Sequence, residues 1–311
     1  MKQTYPMSDF DVVYISYDEP NAEKNWADLL SKCPWAKRVQ GVKGFDAAHN
    51  EAGRIATKRR LVTVDGDNIV HADFFNQTIE IDEEEQADYI FSWCGHNIIN
   101  SLAYGNGGLK LWPKHIIENM NSHENDASED GAHSVDFCWM LTYYQMADTF
   151  SDVCINATPE QAYRGGFREG VKMSLDKGIL PPRNKFLTQN HIKNLQRLSV
   201  WCSVGADVDN GDWALLGARE AVCLTNLDDW DHTHIADYEY MQPFVKDKLI
   251  AYADTDKRQQ AFKHFGDRLR NELHFRVADL DADASIWFKS VYQNPKRFGV
   301  MITEQEADKK K

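Results

Sequence analysis

Between residues 11 and 65 the chain alternates short apolar runs with helical stretches, and that order leaves few folds open to it. Asp11 to Ser16 is β-branched and aromatic and ends at Asp18-Glu19-Pro20, the pattern of a buried strand followed by a loop. Asn21 to Ser31 carries Trp26, Leu29 and Leu30 on one helical face. Lys37 to Val42 reads as a short strand, Gly44 precedes an Ala-rich helix over Phe45 to Thr57, and Arg60 to Val64 is a third strand. Strand, helix, strand, helix, strand predicts an α/β protein with a parallel, Rossmann-like sheet. Ligands of such sheets bind beyond the C-terminal ends of the strands, where both Tyr17-Asp18-Glu19 and Asp65-Gly66-Asp67 fall.

Asp65-Gly66-Asp67 therefore sets two carboxylates at a strand end, where they can converge on one hard divalent cation, Mn²⁺ or Mg²⁺. Gly66 permits a tight turn and close approach of a ligand. Chemistry that needs this arrangement is departure of a nucleotide diphosphate, whose developing charge a metal neutralises. The bland alternative is an Asp-Gly pair in a β-hairpin.

Beyond residue 68 the pattern changes. An acidic run covers Glu80 to Asp88, an apolar strand Tyr89 to Trp93, and a turn Gly105-Asn106-Gly107-Gly108 leads into Leu109-Lys110-Leu111. Residues 119–134 show no periodicity and read as a mobile loop. From Pro159 onward helical patterns dominate, at 159–177, 185–201, 212–224 and about 238–272. Glu304 to Lys311 is a charged tail.

No apolar run approaches the roughly 20 residues of a membrane span, and residues 1–9 lack the basic-then-apolar order of a secretion signal, so a cytoplasmic location without membrane partners is expected. Six cysteines without C-x-x-C spacing read as reduced residues, most of them in the core. A net charge of -13 argues against a nucleic-acid partner as a sum. Its distribution argues differently: residues 61–160 hold 2 Lys and Arg against 18 Asp and Glu, whereas 161–200 hold 8 against 2. Such a basic island forms either a local anion site or a solvated face.

Five motifs in order carry a resemblance: Val13 to Asn21, Ala36 to Gly44, Val64 to Asp67, Asn97 to Pro113 with its Gly-rich turn, and Gly166-Phe167-Arg168-Glu169-Gly170-Val171-Lys172. Over about residues 10–225 the chain resembles the GT-A-fold glycosyltransferases of large tailed bacteriophages, which are related to the TET/JBP-associated glycosyltransferases. The resemblance implies a GT-A fold, a mostly parallel mixed sheet with flanking helices, followed by a helical C-terminal part. Its donor half would cover about 1–115 and its acceptor half about 116–235; beyond the resemblance, the helical pattern reads as an extension at 236–303 and the charged residues as a tail at 304–311. The resemblance further implies transfer of a sugar, glucose by this reading, from a UDP-sugar to a 5-hydroxymethylpyrimidine such as 5-hydroxymethylcytosine. The acceptor would be double-stranded phage DNA in the infected host cell. Where the family commonly carries an arginine beside Asn97, this chain has His96. That departure touches the choice of sugar or acceptor.

Carried over residue by residue, Ser16, Tyr17 and Asp18 would hold uracil and ribose, with Lys43 and His49 near the base and diphosphate. Asp65 would contact ribose or metal, Asp67 would ligate the metal, and His232 or His234, here assigned as His234, would supply a third ligand. A helical or surface histidine in either place is otherwise structural. The acceptor hydroxyl loses a proton as it attacks, so an inverting enzyme needs a carboxylate base. Asp136 is the candidate, with a helix N-cap as its other reading. Gly107 and Gly108 would let the backbone approach the sugar or merely form a tight turn. Arg164, Arg168 and Lys172 share one helix face, facing either phosphates or water. Alternatives that keep the fold are a protein, lipopolysaccharide or small-molecule acceptor and an arabinose or N-acetylglucosamine donor; outside enzymes, an inert nucleotide-sugar or DNA-binding module.

Overall fold

The computed structural model describes residues 2–105, 107–121 and 142–292. Strands β1 (Lys2–Pro6), β2 (Asp11–Ser16), β3 (Lys37–Gln40), β4 (Arg60–Asp65) and β5 (Asn68–Val70) are followed by β6 (Thr78–Asp82), β7 (Ile90–Asn97), β8 (Ala103–Tyr104), β9 (Leu109–Pro113) and β10 (Tyr143–Val153). Helices α1 (Ala22–Lys32) and α2 (Phe45–Ile55) fill the first two crossovers, and the short α3 (Lys114–Ile117) follows β9. Then come α4 (Pro159–Ser174), α5 (Phe186–Gln189), α6 (Ile192–Trp201), α7 (Gly211–Leu227), α8 (Tyr238–Ala251), α9 (Thr255–Glu272) and α10 (Ala282–Tyr292).

The expected βαβαβ unit is present: β3, β2 and β4 are neighbours and parallel, with Ile15 opposite both Val39 and Asp65. Because helices cover both faces, β2 is apolar from Val12 to Ile15. Val12 and Tyr14 pack with Leu29 of α1, while Val13 packs with Ala52 of α2 and Trp112. A strand buried on both sides reads as a continuous apolar run, and each such side chain contributes about 1.5–3 kcal/mol on burial.

The sheet continues in the order β3-β2-β4-β9-β7-β10-β5, with β8 beside β7. As expected the sheet is mixed, with β3, β2, β4, β7 and β10 running one way and β9, β8 and β5 the other. Among the described residues parallel pairing holds for β2 with β3, β2 with β4 and β7 with β10. Antiparallel pairing joins β9 to β4 and β7, β8 to β7, and β5 to β10. The protein is α/β with a mixed sheet. The helix expected over 185–201 is interrupted at Asn190-His191, where the His191 side chain caps α6. The one expected over 238–272 breaks at Tyr252-Ala253-Asp254, where Asp254 accepts from the Lys257 amide and starts α9.

A separate apolar cluster joins α4, α6, α7, α8 and α9. Helices α4 and α7 cross at glycines: a Cβ on Gly166 would strike the Ala214 carbonyl, and one on Gly170 would lie 2.7 Å from the Ala218 carbonyl. Inside this layer the fully buried Arg219 donates to the carbonyls of Cys202 (2.7 Å), Phe262 (2.9 Å) and Ala278 (2.8 Å). A guanidinium so placed is stable only with every donor engaged, so one side chain ties α7 to the end of α6, to α9 and to the segment after α9. Cys33, Cys202 and Cys223 are buried free thiols, and Cys94 and Cys154 are half-buried free thiols.

Candidate active site

The C-terminal ends of β2 and β4 lie side by side, and each delivers carboxylates to the same corner. From β2 the chain turns through Tyr17-Asp18-Glu19, and the Glu19 carboxylate accepts from the Tyr17 amide at 2.8 Å. That turn folds back over Gly66, where an added Cβ would stand 2.7 Å from the Glu19 carboxyl carbon. A methyl group at position 66 would therefore have to displace the Glu19 carboxylate. Its carbonyl is fixed from below by Tyr14 Oη (2.6 Å) and Asn25 Nδ2 (3.0 Å).

From β4 come Asp65 and Asp67. The segment is not the hairpin turn that an Asp-Gly pair can make, because β5 pairs with β10 and not with β4. Instead the Asp67 carbonyl accepts from the Cys154 amide at 2.8 Å, and Cys154 is tied by its own carbonyl to Asn21 Nδ2 at 2.8 Å. The Asp65 side chain rests on Gly108, where a Cβ would overlap its Cβ and carboxyl carbon, and the Asp65 amide donates to the Gly108 carbonyl at 3.2 Å. Gly107 in turn backs onto β7, a Cβ there lying 2.7 Å from the Gly95 nitrogen.

Electrostatically the corner is overloaded with negative charge. Burial, and then the Asp65 charge, push the Asp67 carboxyl up to about 7, with Glu19 adding to the effect. Glu19 is likewise raised by burial and by Asp65 against the pull of the Tyr17 amide. Asn68 Nδ2 donates to Asp67 at 2.7 Å, while Asn68 Oδ1 is buried without a hydrogen-bond partner. Carboxylates and an orphaned amide oxygen are the donor types of a hard cation. Among the described residues no three or more His, Cys, Asp or Glu side chains stand ready to hold a metal.

The residues expected around this corner divide. Ser16 is buried and accepts from Arg38 Nε at 3.0 Å, Tyr17 is 51% exposed, and Asp18 is exposed beside Glu19. His49 is buried with Nδ1 2.9 Å from the Phe45 carbonyl; burial lowers its pKa, and Asp65 is near enough to oppose that shift. Lys43 lies in the open and reaches α8 through Glu239 at 3.1 Å. Arg164 lies with its guanidinium 4.8 Å from the Tyr238 ring, and Arg168 is exposed on the same face. His234 stacks on Tyr240 at 3.9 Å beside Trp230, and its Nδ1 is buried without a partner. Among the described residues no hydrogen bond or ion pair joins His234 to Asp65 or Asp67. Asp136 lies outside the described residues.

Two contributors were not singled out by the sequence. Glu19 was readable only as a strand-end carboxylate; its contact with Gly66 depends on how the Pro20 turn folds. Lys110, buried on β9, donates to the Gly107 carbonyl at 2.9 Å and so pins the glycine turn from beneath. The turn is also anchored from the helical layer: Tyr104 donates to Glu169 of α4 and accepts from Trp201 Nε1 at 2.9 Å. In the Gly166 to Lys172 motif, then, the glycines serve helix crossing and Glu169 supports the turn.

A scan against protein-family models finds no match, and a search of curated proteins finds none.

Proposed function

We propose that the chain is a metal-dependent glycosyltransferase that moves a sugar, glucose in the leading reading, from a UDP-sugar to a 5-hydroxymethylpyrimidine in DNA. The observation that carries the donor half is the meeting of Glu19, Asp65 and Asp67 at the C-terminal edge of a parallel βαβαβ unit, with Asn68 Oδ1 unpartnered beside them. Asp65 and Asp67 would hold Mn²⁺ or Mg²⁺, which when bound offsets charge on the leaving diphosphate. Exposed Tyr17 would stack on the uracil ring, with Ser16 and Asp18 beside it at the end of β2. Gly107 and Gly108, held by Lys110 and Tyr104, would bring backbone against the sugar.

In the transfer the acceptor hydroxyl oxygen bonds to the anomeric carbon as that carbon's bond to the diphosphate oxygen breaks. The hydroxyl proton passes to a carboxylate base, for which Asp136 remains the proposed residue. DNA as acceptor rests on the resemblance and on the basic island of residues 161–200.

The test is to incubate the protein with labelled UDP-glucose, Mn²⁺ and DNA containing 5-hydroxymethylcytosine or 5-hydroxymethyluracil, then analyse nucleosides by mass spectrometry. A hexosylated nucleoside that disappears with chelator supports the reading. Label found only in protein or glycan overturns the DNA acceptor, and full metal-dependent activity in Asp67→Ala overturns the site.

A further inference from the structure

Residues 177–206 contain no Asp or Glu, although the whole chain carries 48. Over the same stretch stand Lys177, Arg183, Lys185, Lys193 and Arg197. Their placement is not that of a buried element: Lys177, Arg183, Lys185 and Lys193 are all exposed. Arg183 pairs with Glu272 at 3.1 Å, but no carboxylate among the described residues pairs with Lys177, Lys185 or Lys193. Uncharged hydrogen-bonding side chains lie between them, with Asn184, Thr188, Gln189 and Gln196 exposed. Two recesses, of about 290 and 580 Å³, open on this segment, one lined by Lys177 and Gln189 with Asp176, the other by Arg183, Asn184 and Thr188 with Glu272, the partner of Arg183.

The strip has a direction. Lys193 and Arg197 are four residues apart on α6 and share a face, and the Arg197 guanidinium lies 4.6 Å from the centroid of the Tyr104 ring. Tyr104 opens the glycine turn, and Gly108 at its far end carries the Asp65 side chain. The strip thus ends, through Arg197, against the residue that opens the glycine turn.

We propose that residues 177–197 are the surface on which the phosphate backbone of duplex DNA lies, with α6 leading it to the glycine turn; this rests on the DNA-acceptor reading above. Charge complementarity selects the occupant. A protein of net charge -13 repels DNA over most of its surface, so a run of unpaired lysines interleaved with amide and hydroxyl groups is where phosphates are accepted. An acidic polypeptide offers the same sign of charge but not a regular row of phosphates.

The experiment measures binding of an unmodified DNA duplex by fluorescence anisotropy from 50 to 200 mM salt. The wild type is compared with the Lys177→Gln, Lys185→Gln, Lys193→Gln triple variant and with a Lys246→Gln, Lys257→Gln control on α8 and α9. Three phosphate contacts correspond to a salt slope of about -2.7 and to roughly 40-fold weakening over that range. The triple variant is expected to bind at least about tenfold more weakly at 50 mM salt and to lose most of that slope, while its metal-dependent UDP-sugar hydrolysis is unchanged and the control binds like wild type. Equal affinity and slope in wild type and triple variant, with sugar still transferred to hydroxymethylated duplex, would overturn this surface and leave the acceptor reading intact. A wild type that hydrolyses UDP-sugar but neither binds nor modifies duplex would overturn both. Tighter binding of poly-glutamate than of duplex at matched salt would assign the strip to a protein partner instead.

Discussion

The two edges of the parallel unit hold carboxylates in opposite states. At the edge where β2 begins, buried Asp11 is saturated: it accepts from the Lys58 amide at 2.8 Å, the Thr57 amide at 2.5 Å and Lys37 Nζ at 3.0 Å. Burial pushes its pKa up, but those bonds outweigh it and hold the carboxyl below its ordinary value. At the edge where β2 and β4 end, Glu19, Asp65 and Asp67 crowd one another, and the Glu19 and Asp67 carboxyls are raised. One edge spends its carboxylate on joining loop to strand. The other crowds carboxyls whose mutual repulsion folding alone does not require.

The comparison breaks most sharply at Asp67. Asp67→Asn is expected to lower metal-dependent turnover of UDP-sugar by about 10²–10³-fold, while the melting temperature stays level or rises because a like charge is gone. Steady-state kinetics beside a thermal melt check both halves, and a large drop in melting temperature would make Asp67 a structural residue like Asp11. The mirror-image variant is Asp11→Asn, expected to cost about 2–3 kcal/mol by urea denaturation with turnover per folded molecule unchanged.

Smaller effects sharpen the contrast. Gly108→Ala places a methyl group on the Asp65 side chain; overpacking of this kind costs about 1–2 kcal/mol, and turnover should fall about tenfold as the carboxylate is displaced, a shift of roughly 1.4 kcal/mol in the barrier. Acid then separates the edges without mutation. Since the Asp11 pKa is lower in the folded state, its stabilisation is fully present above the unfolded carboxylate value of about 3.9 and is lost as pH falls through the folded one. The stability gap between wild type and Asp11→Asn should therefore be flat from pH 7 to about 5 and narrow below about 4.

Much of the first unit was legible in the sequence. The strands β2 and β4 and the helices between them follow from apolar runs and helical faces that packing does not override. Legibility ended at the strands that lack a period. β10 has register shifts between Gln145, Thr149 and Ser151, which disrupt the alternation on which strand recognition depends. β1 and β6 pair with each other away from the main sheet, and β1 is a mostly exposed strand ending in Pro6. In the site, Asp65 and Asp67 were readable because they follow a strand, whereas Glu19 and Lys110 act through contacts made only after folding. The glycines of α4 illustrate the reverse: they stood in a stretch that carried the family resemblance, and the structure uses Gly166 and Gly170 to admit α7.

Only Gly66 and Asp67 separate β4 from β5, yet β9, β7 and β10 lie between those strands in the sheet. Four inter-strand steps at about 4.8 Å make a flat path of roughly 19 Å, while the three residues from Asp65 to Asn68 reach about 10 Å. The sheet must therefore curl until its far side meets the end of β4. In kinetic terms the carboxylate corner depends on a long-range closure, since β5 gains its pairing only when Ser151 to Val153 arrive opposite Val70 to Asn68. Closing so long a loop has an entropic cost before any contact offsets it, so Asp67 should reach its final position late in folding, after the β3-β2-β4 unit has formed.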